Sequence, residues 1–307
     1  MVRLIQWWDF GWVFDELWAP GPNCSMRARG TLPRLRLIET GPVAVRKLAP
    51  IAVVEVFASL SGCIYAMRAP GSASGNTLVC IGPPALGSGA LNMIVTEEEW
   101  RRTRTLRIGD QVTLDCRRAA AWRPEPPNAV GGVDPRALGV AKQMAPRLTL
   151  NAGAIERRIW ASLSEGLDAL AHWLGQSHTP PPHVVLSLLG VGAGLTPAWD
   201  DVLVGVLLAA RGQLEGHHRV LANALTPARL KRTSAISCAH LRAACDGFGV
   251  AVAHGALGAL FSPYNSATVT RLRELATHGG SSGEFCLAGM SAVAAASAEA
   301  QMPGFQS

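Results

Sequence analysis

The chain has 307 residues, 49% hydrophobic and 16% charged, a composition that suits a protein with a substantial folded interior and excludes a disordered one. Its formal charge of +6 rests on 28 basic residues, of which only Lys47, Lys142 and Lys231 are lysines. The arginines are scattered and do not form a stripe with interleaved aromatics, which argues against a nucleic-acid partner.

No apolar run reaches the roughly 18 uncharged residues of a membrane span. The first twenty residues hold four of the nine tryptophans, but Asp9, Asp15 and Glu16 interrupt any export-signal core. This stretch reads either as an amphipathic docking segment or as an extension from an upstream start codon, with the second favoured. Cys24, Cys63, Cys80, Cys116, Cys238, Cys245 and Cys286 are odd in number and show no C-x-x-C or zinc-type spacing. Free thiols in a reducing cytoplasm are the expectation, with neither a disulfide framework nor a metal site.

Residues 1–35 are set aside as an extension. Residues 36–122 read as a β-rich domain, a small barrel or sandwich. "IAVVEVFA" and "CIYAM" are rich in β-branched and aromatic residues, "GSASGN" is a turn cluster before "TLVCIG", and "LNMIV" is a further short strand. "LRIGDQVTLDC" alternates around Gly109-Asp110 and predicts a hairpin. Residues 123–150, opened by the Pro- and Gly-dense "RPEPPNAVGGVDP", read as a linker.

From 151 to 307 the pattern is helical. Ile155, Ile159, Leu163, Leu167, Leu170 and Leu174 recur at spacings of three and four, with Gly175 as a stop. Further helices are predicted at about 197–213, 234–246, 248–261, 265–278 and 283–299. The fold class is therefore α+β, with an all-helical C-terminal domain that carries two Gly-rich helix starts.

The first start is "GVGAGLTPAWDDVLVG", residues 190–205. Gly190, Gly192 and Gly194 permit positive φ and close approach to the backbone. Thr196 is the predicted N-cap, and Pro197 suits the first turn because it lacks the N–H that would go unsatisfied there. Such a start presents amides and a positive dipole end to an anion. Asp200 and Asp201 lie about 100° apart around a helix, so they serve different purposes; Asp201 shares the packed face with Gly205 and Leu208. Acidic residues in a first turn also occur for dipole reasons alone.

The second start, "GGSSGEFCLAG" at 279–289, repeats the pattern 84 positions later, bringing Leu203-Val204-Gly205 over Leu287-Ala288-Gly289 and Asp200 over Glu284. Face to face, the two starts would clasp a small anion with Ser281, Ser282 and Gly283. The plainer alternative is that the glycines only allow close helix packing. A third polar cluster puts Thr233, Ser234 and Ser237 at another helix start. Arg242 beyond it either reaches a substrate carboxylate or pairs with Asp246 four residues on.

These three motifs, "GVGAGLTPAWDDVLVGVLLAA", "TSAISCAHLRAACDG" and "GGSSGEFCLAGMSA", resemble in this order the AllH-type family, associated with oxamate carbamoyltransferase of allantoin breakdown. The resemblance extends weakly back to about residue 45 and excludes the Trp-rich start. It implies oxalurate and phosphate converting to oxamate and carbamoyl phosphate, or the reverse, in a complex with FdrA-like and YlbE-like partner subunits. In that reading Asp200 and Asp201 are the catalytic candidates. Gly192, Gly194, Thr196, Thr233, Ser234, Arg242, Ser281, Ser282 and Gly283 bind substrate, and magnesium is an option for bridging phosphate oxygens. Four positions depart from the family pattern: Ala198 for a polar residue, Trp199 for a small or polar one, Gly280 for His and Phe285 for Asp. They leave open the alternative of a non-catalytic subunit that binds a small anion, and that of a scaffold.

Overall fold

The barrel and the helices both follow from where apolar side chains alternate. The computed structural model describes residues 32–68, 77–124, 132–146, 153–176 and 180–301. The Trp-rich start, the "GSASGN" turn and parts of the 123–150 stretch fall outside them. Arg34–Ser307 form one compact unit.

Among the described residues seven strands come first: β1 (Arg34–Thr40), β2 (Ile51–Ser59), β3 (Ile64–Arg68), β4 (Leu78–Gly82), β5 (Asn92–Val95), β6 (Gln111–Asp115) and β7 (Ala120–Ala121). Two helices interrupt them, α1 (Pro42–Lys47) and α2 (Glu97–Thr103). Thr96 caps α2 by accepting from the Glu99 amide, and Glu97, Glu98 and Glu99 fill its first turn. The strand order is β5-β4-β3-β2-β6-β1-β7, and a further pairing of β5 with β1 closes six strands into a barrel. Of the barrel's pairs, β1–β6 and β4–β5 are parallel; the others are antiparallel. Residues two apart point inward: Leu35 and Leu37, Ala52, Val54 and Val56, Ile64 and Ala66, Val79 and Ile81, Val112 and Leu114. The expected hairpin at Gly109-Asp110 is absent. Gly109 does turn the chain (φ 90°), but β6 then pairs with β2 and β1, because the segment before it belongs to α2 and its exit.

Among the described residues ten helices follow: α3 (Pro135–Gln143), α4 (Ala154–Leu174), α5 (His183–Ser187), α6 (Ala198–Gln213), α7 (Glu215–Ala224), α8 (Pro227–Leu230), α9 (Ala235–Cys245), α10 (Ala251–Leu260), α11 (Thr268–Ala276) and α12 (Ser282–Ala300). The stretch read as a linker thus contains α3, started by Asp134, whose side chain accepts from the Arg136 amide, with Pro135 next. In α4 the apolar stripe is buried only from Leu163 onward; Ile155 is exposed. Gly175 caps α4 as expected.

Helix α6 is the centre of the helical core. Twelve of its residues are buried, from Ala198 to Ala210, as expected of a helix apolar nearly all round. It runs parallel to α12. The Thr196 and Ser282 hydroxyls meet at one end (2.8 Å), and Ser297 Oγ donates to Gln213 Oε1 (3.4 Å) at the other. The barrel joins the helices through Leu78, Ala90 and Leu91, which cluster with Ile236 and Ala243 of α9. The backbone couples there too: the Ala90 amide donates to the Gly249 carbonyl (2.9 Å) and the Ala251 amide to the Ser88 carbonyl (2.8 Å).

Candidate functional site

The parallel arrangement of α6 and α12 puts both Gly-rich starts at the same end, and the polar residues of three segments meet there. Gly190, Gly192 and Gly194 all have positive φ, at 84°, 129° and 106°. At Gly190 and Gly192 a Cβ would lie 2.3 Å from the Arg232 carbonyl oxygen and from the Ala198 nitrogen, so these two pack as well as turn. Gly194 is open on that side, its nearest neighbour 3.5 Å away.

The helix begins one residue later than expected. Pro197, in extended conformation, holds the cap position, and Thr196 does not cap. The Pro197 carbonyl accepts from the Asp200 and Asp201 amides, and the Trp199 amide reaches back to the Val191 carbonyl (3.0 Å). With those first-turn donors satisfied by backbone, the Thr196 hydroxyl is free to donate to Asp201 Oδ2 at 3.1 Å. The amides of Gly192, Ala193, Gly194, Leu195 and Thr196 donate to no backbone carbonyl among the described residues.

The two aspartates do separate jobs. Asp200 is fully buried, and its carboxylate accepts from the Gly190 amide (2.9 Å), Ser237 Oγ (2.6 Å) and Thr233 Oγ1. It ties the glycine loop to the start of α9. Burial pushes its pKa up, opposed by these three donors. Asp200 is therefore a brace with its oxygens in use, where the sequence had placed it among the catalytic candidates. Asp201 is 8% exposed. Its pKa is raised to about 8, first by desolvation and further by the neighbouring Asp200, against the hydroxyls of Ser282 and Thr196. A carboxyl poised near neutrality beside two hydroxyls is equipped to give or take a proton.

Ser234 caps α9, accepting from the Ser237 amide (3.0 Å) while donating to the Leu195 carbonyl (2.7 Å). Ser282 joins Thr196; Ser281 stands exposed at the α12 start with no capping bond. Gly283 is a packing residue: a Cβ there would lie 1.7 Å from the Leu275 carbonyl oxygen. Arg242 is exposed and outside the hydrogen-bonded cluster, and it makes no ion pair with Asp246 among the described residues. Ser237, which clamps Asp200, was visible at a helix start but had no assigned role. The Gly190 amide carried no signal of its own beyond its glycine.

The departures from the family pattern sort by direction. Trp199 turns away from the site, fully buried, its ring against Gly166 of α4 and its Nε1 donating to the Val185 carbonyl (2.7 Å). Phe285 also faces α4, its ring 6.4 Å from that of Trp160. Ala198 is buried beneath Gly192, and Gly280 is an exposed left-handed turn (φ 71°). Glu284, the counterpart of Asp200, is half-buried and outside the cluster.

Residues 188–294 match the family model of the oxamate carbamoyltransferase subunit AllH. The resemblance read from the three motifs is borne out over that segment. The AllH-matched segment holds the whole cluster: Gly190, Thr196, Asp200, Asp201, Thr233, Ser234, Ser237 and Ser282. Neither a curated protein nor a solved structure matches the chain. Among the described residues, no helix is long and apolar enough to cross a membrane.

Among those residues there is also no group of three or more His, Cys, Asp or Glu placed to hold a metal ion. The Asp200 oxygens are engaged by the Gly190 amide and the Thr233 and Ser237 hydroxyls, so of the aspartate pair only Asp201 could serve magnesium.

Proposed function

We propose that the chain is a subunit of an oxamate carbamoyltransferase-like complex, binding a small anion at the adjoining starts of α6 and α12. The observation that carries this reading is the protonatable Asp201, set between the Thr196 and Ser282 hydroxyls and beside the loop amides of residues 192–196. The name of the matching family, oxamate carbamoyltransferase subunit AllH, supports a carbamoyl-transfer setting; the substrates we assign to it, oxalurate, phosphate, oxamate and carbamoyl phosphate, are all small anions. Loop amides with Gly192, Gly194 and Thr196 would hold an anionic oxygen and stabilise the oxyanion of carbamoyl transfer.

In the direction from oxalurate, a phosphate oxygen bonds to the carbamoyl carbon and the carbon–nitrogen bond to oxamate breaks. Asp201 hands its proton to the departing oxamate nitrogen, and in the reverse direction takes it back. Thr196 and Ser282 orient that carboxyl. Ser281, on the exposed lip of α12, and Arg242 extend the site toward a substrate carboxylate. Asp200, with Thr233 and Ser237, keeps the loop in place. FdrA-like and YlbE-like chains complete the assembly, which we place in the cytoplasm.

A second reading is favoured by one observation: the position matching Asp201 in the second motif is the buried Phe285. With one of two acids replaced by an apolar ring, the chain would bind the anion and leave the chemistry to a partner. Calorimetric titration of the purified chain with oxamate, oxalurate, phosphate and carbamoyl phosphate tests both. Binding that disappears in a Thr196→Ala/Asp201→Asn double variant supports the site, and no binding of any of the four to wild type sinks it. Activity of the complex reassembled with Asp201→Asn then separates the readings: loss favours catalysis here, retention favours binding alone.

A further inference from the structure

Backbone contacts fasten the barrel to the start of α10. The Ala90 amide donates to the Gly249 carbonyl (2.9 Å), the Ala251 amide donates to the Ser88 carbonyl (2.8 Å), and Gly89 pairs with Val250 as an isolated antiparallel bridge. Gly249 is thus tied to the barrel by its carbonyl. Its amide is tied by a side chain: it donates to Nε2 of His254 (3.1 Å), in the second turn of α10. Val250, at the cap position between them, makes no side-chain capping bond.

A neutral imidazole that accepts at Nε2 carries its single proton on Nδ1. Here Nδ1 is buried and has no hydrogen-bond partner among the described residues. The ring meets Trp122 of the barrel edge-on, centroids 5.9 Å apart. A second proton would put an N–H on Nε2, against the Gly249 N–H, and a charge where no acceptor stands. It would also set that charge near a helix N-terminus, whose dipole disfavours cations.

Helix α10 has no Asp, Glu, Lys or Arg of its own to offset the charge. Around it, Asp246 ends α9, Arg46 of α1 stacks on Phe248 (4.8 Å), Arg211 of α6 lies against Gly247, and Arg271 of α11 approaches Gly258. Helices α3 and α12 also pack on α10 and carry Arg136, Lys142, Glu284 and Glu299. None of these moves the ring's pKa; desolvation lowers it to about 4.

We propose that His254 is a latch that fastens the barrel to α10 when neutral and releases it when protonated. The neutral ring fixes the Gly249 amide and so aims the Gly249 carbonyl at Ala90. The protonated ring sets a donor against a donor, and Gly249 leaves together with its bond to the barrel. Ala90 and Leu91 pack on Ile236 and Ala243 of α9, so release also slackens the helix whose Ser237 holds Asp200. Acid is thereby felt at the polar cluster through the barrel.

Amide hydrogen exchange on the whole chain, read by NMR, tests the latch. Between pH 7 and pH 5 the protection of the Gly249, Ala90 and Ala251 amides should fall about twentyfold, the ratio expected of a ring titrating near 4 when closed and 6.5 when open. Protection of the Leu207 amide, in the middle of α6, should hold. His254→Gln, whose side-chain carbonyl can accept from the Gly249 amide and does not titrate, should show no such fall. An equal fall in the two proteins, none in wild type, or one shared by Leu207 overturns the latch. Nitrogen-15 shifts of the wild-type ring need no variant: at pH 7 the His254 proton should sit on Nδ1, and the ring should titrate below 6.5. A proton on Nε2, or titration at or above 6.5 in the folded protein, overturns it as well.

Discussion

Gly205 and Gly289 each lie against the backbone of the other's helix. A Cβ on Gly205 would sit 2.0 Å from the Cys286 carbonyl oxygen, and one on Gly289 would sit 2.1 Å from the Val202 carbonyl oxygen. The contacts are reciprocal under the same 84-residue offset that relates the two motifs in sequence. The plainer reading of these L-x-G segments, close helix packing, is therefore correct for their glycines. The polar cluster lies one to three turns nearer the helix starts.

Gly205→Ala and Gly289→Ala should each cost about 3 kcal/mol, the upper end for overpacking, because the opposing atoms are backbone and cannot swing aside. Gly255→Ala in α10 is the control. A Cβ there meets nothing within 4 Å, so the helix should gain about 0.5–1 kcal/mol. Urea denaturation of the three variants decides the comparison.

Asp201 makes stability fall as pH rises. Its pKa is raised from 3.8 to about 8 on folding, so its contribution is complete below pH 4 and is lost as pH climbs through 8. His218, His240, His254 and His278 have lowered values and act in the opposite sense, their unfolded forms still giving up protons until about pH 8, but they do so equally in both proteins. Between pH 6.5 and 8 the stability of wild type relative to Asp201→Asn should therefore fall by about 2 kcal/mol. Parallel pH-dependent slopes for the two proteins would contradict the assignment.

Removing the Asp200 carboxylate strands the Gly190 amide and two hydroxyls in a buried place. Asp200→Ala should lower stability by about 3–5 kcal/mol, well beyond the effect of Thr233→Ala or Ser237→Ala alone. Thermal denaturation measures the three. Equal effects would mean that Asp200 does not act as the hub.

Trp199 is a core residue despite its place in the motif. Trp199→Ala should cost about 3–5 kcal/mol by opening a void against Gly166 and leaving the Val185 carbonyl without its donor. Anion binding measured on the folded fraction should be retained. Loss of binding at full stability would place the ring in the site after all.

Elements with strong periodicity were legible in the sequence. β-branched and aromatic composition between turn residues marked β2, β3 and β4, and the three- and four-residue spacing marked α4, with Gly175 at its end. The three positive-φ glycines were legible because only glycine adopts that backbone cheaply. What the sequence did not disclose came from distant partners. Helix geometry puts Asp200 and Asp201 on different faces but does not say which becomes the brace, because Ser237 and Thr233 decide that. Thr196 was misread as a cap because the Val191 carbonyl, distant in the turn, takes the Trp199 amide it would have served. Helix α3 was hidden by the Pro and Gly of its surroundings, although Asp134-Pro135 is a start signal.

The pairing of β5 with β1 leaves the six barrel strands with no open rim. Outside that ring, β7 pairs with β1 over only two residues, Ala120 and Ala121. Among the described residues, a neighbouring subunit that joined by adding a strand would find almost nothing to extend. Assembly of that part with other chains would thereby be directed to surfaces of side chains, where a single substitution can alter the choice of partner without unpicking the backbone of the fold.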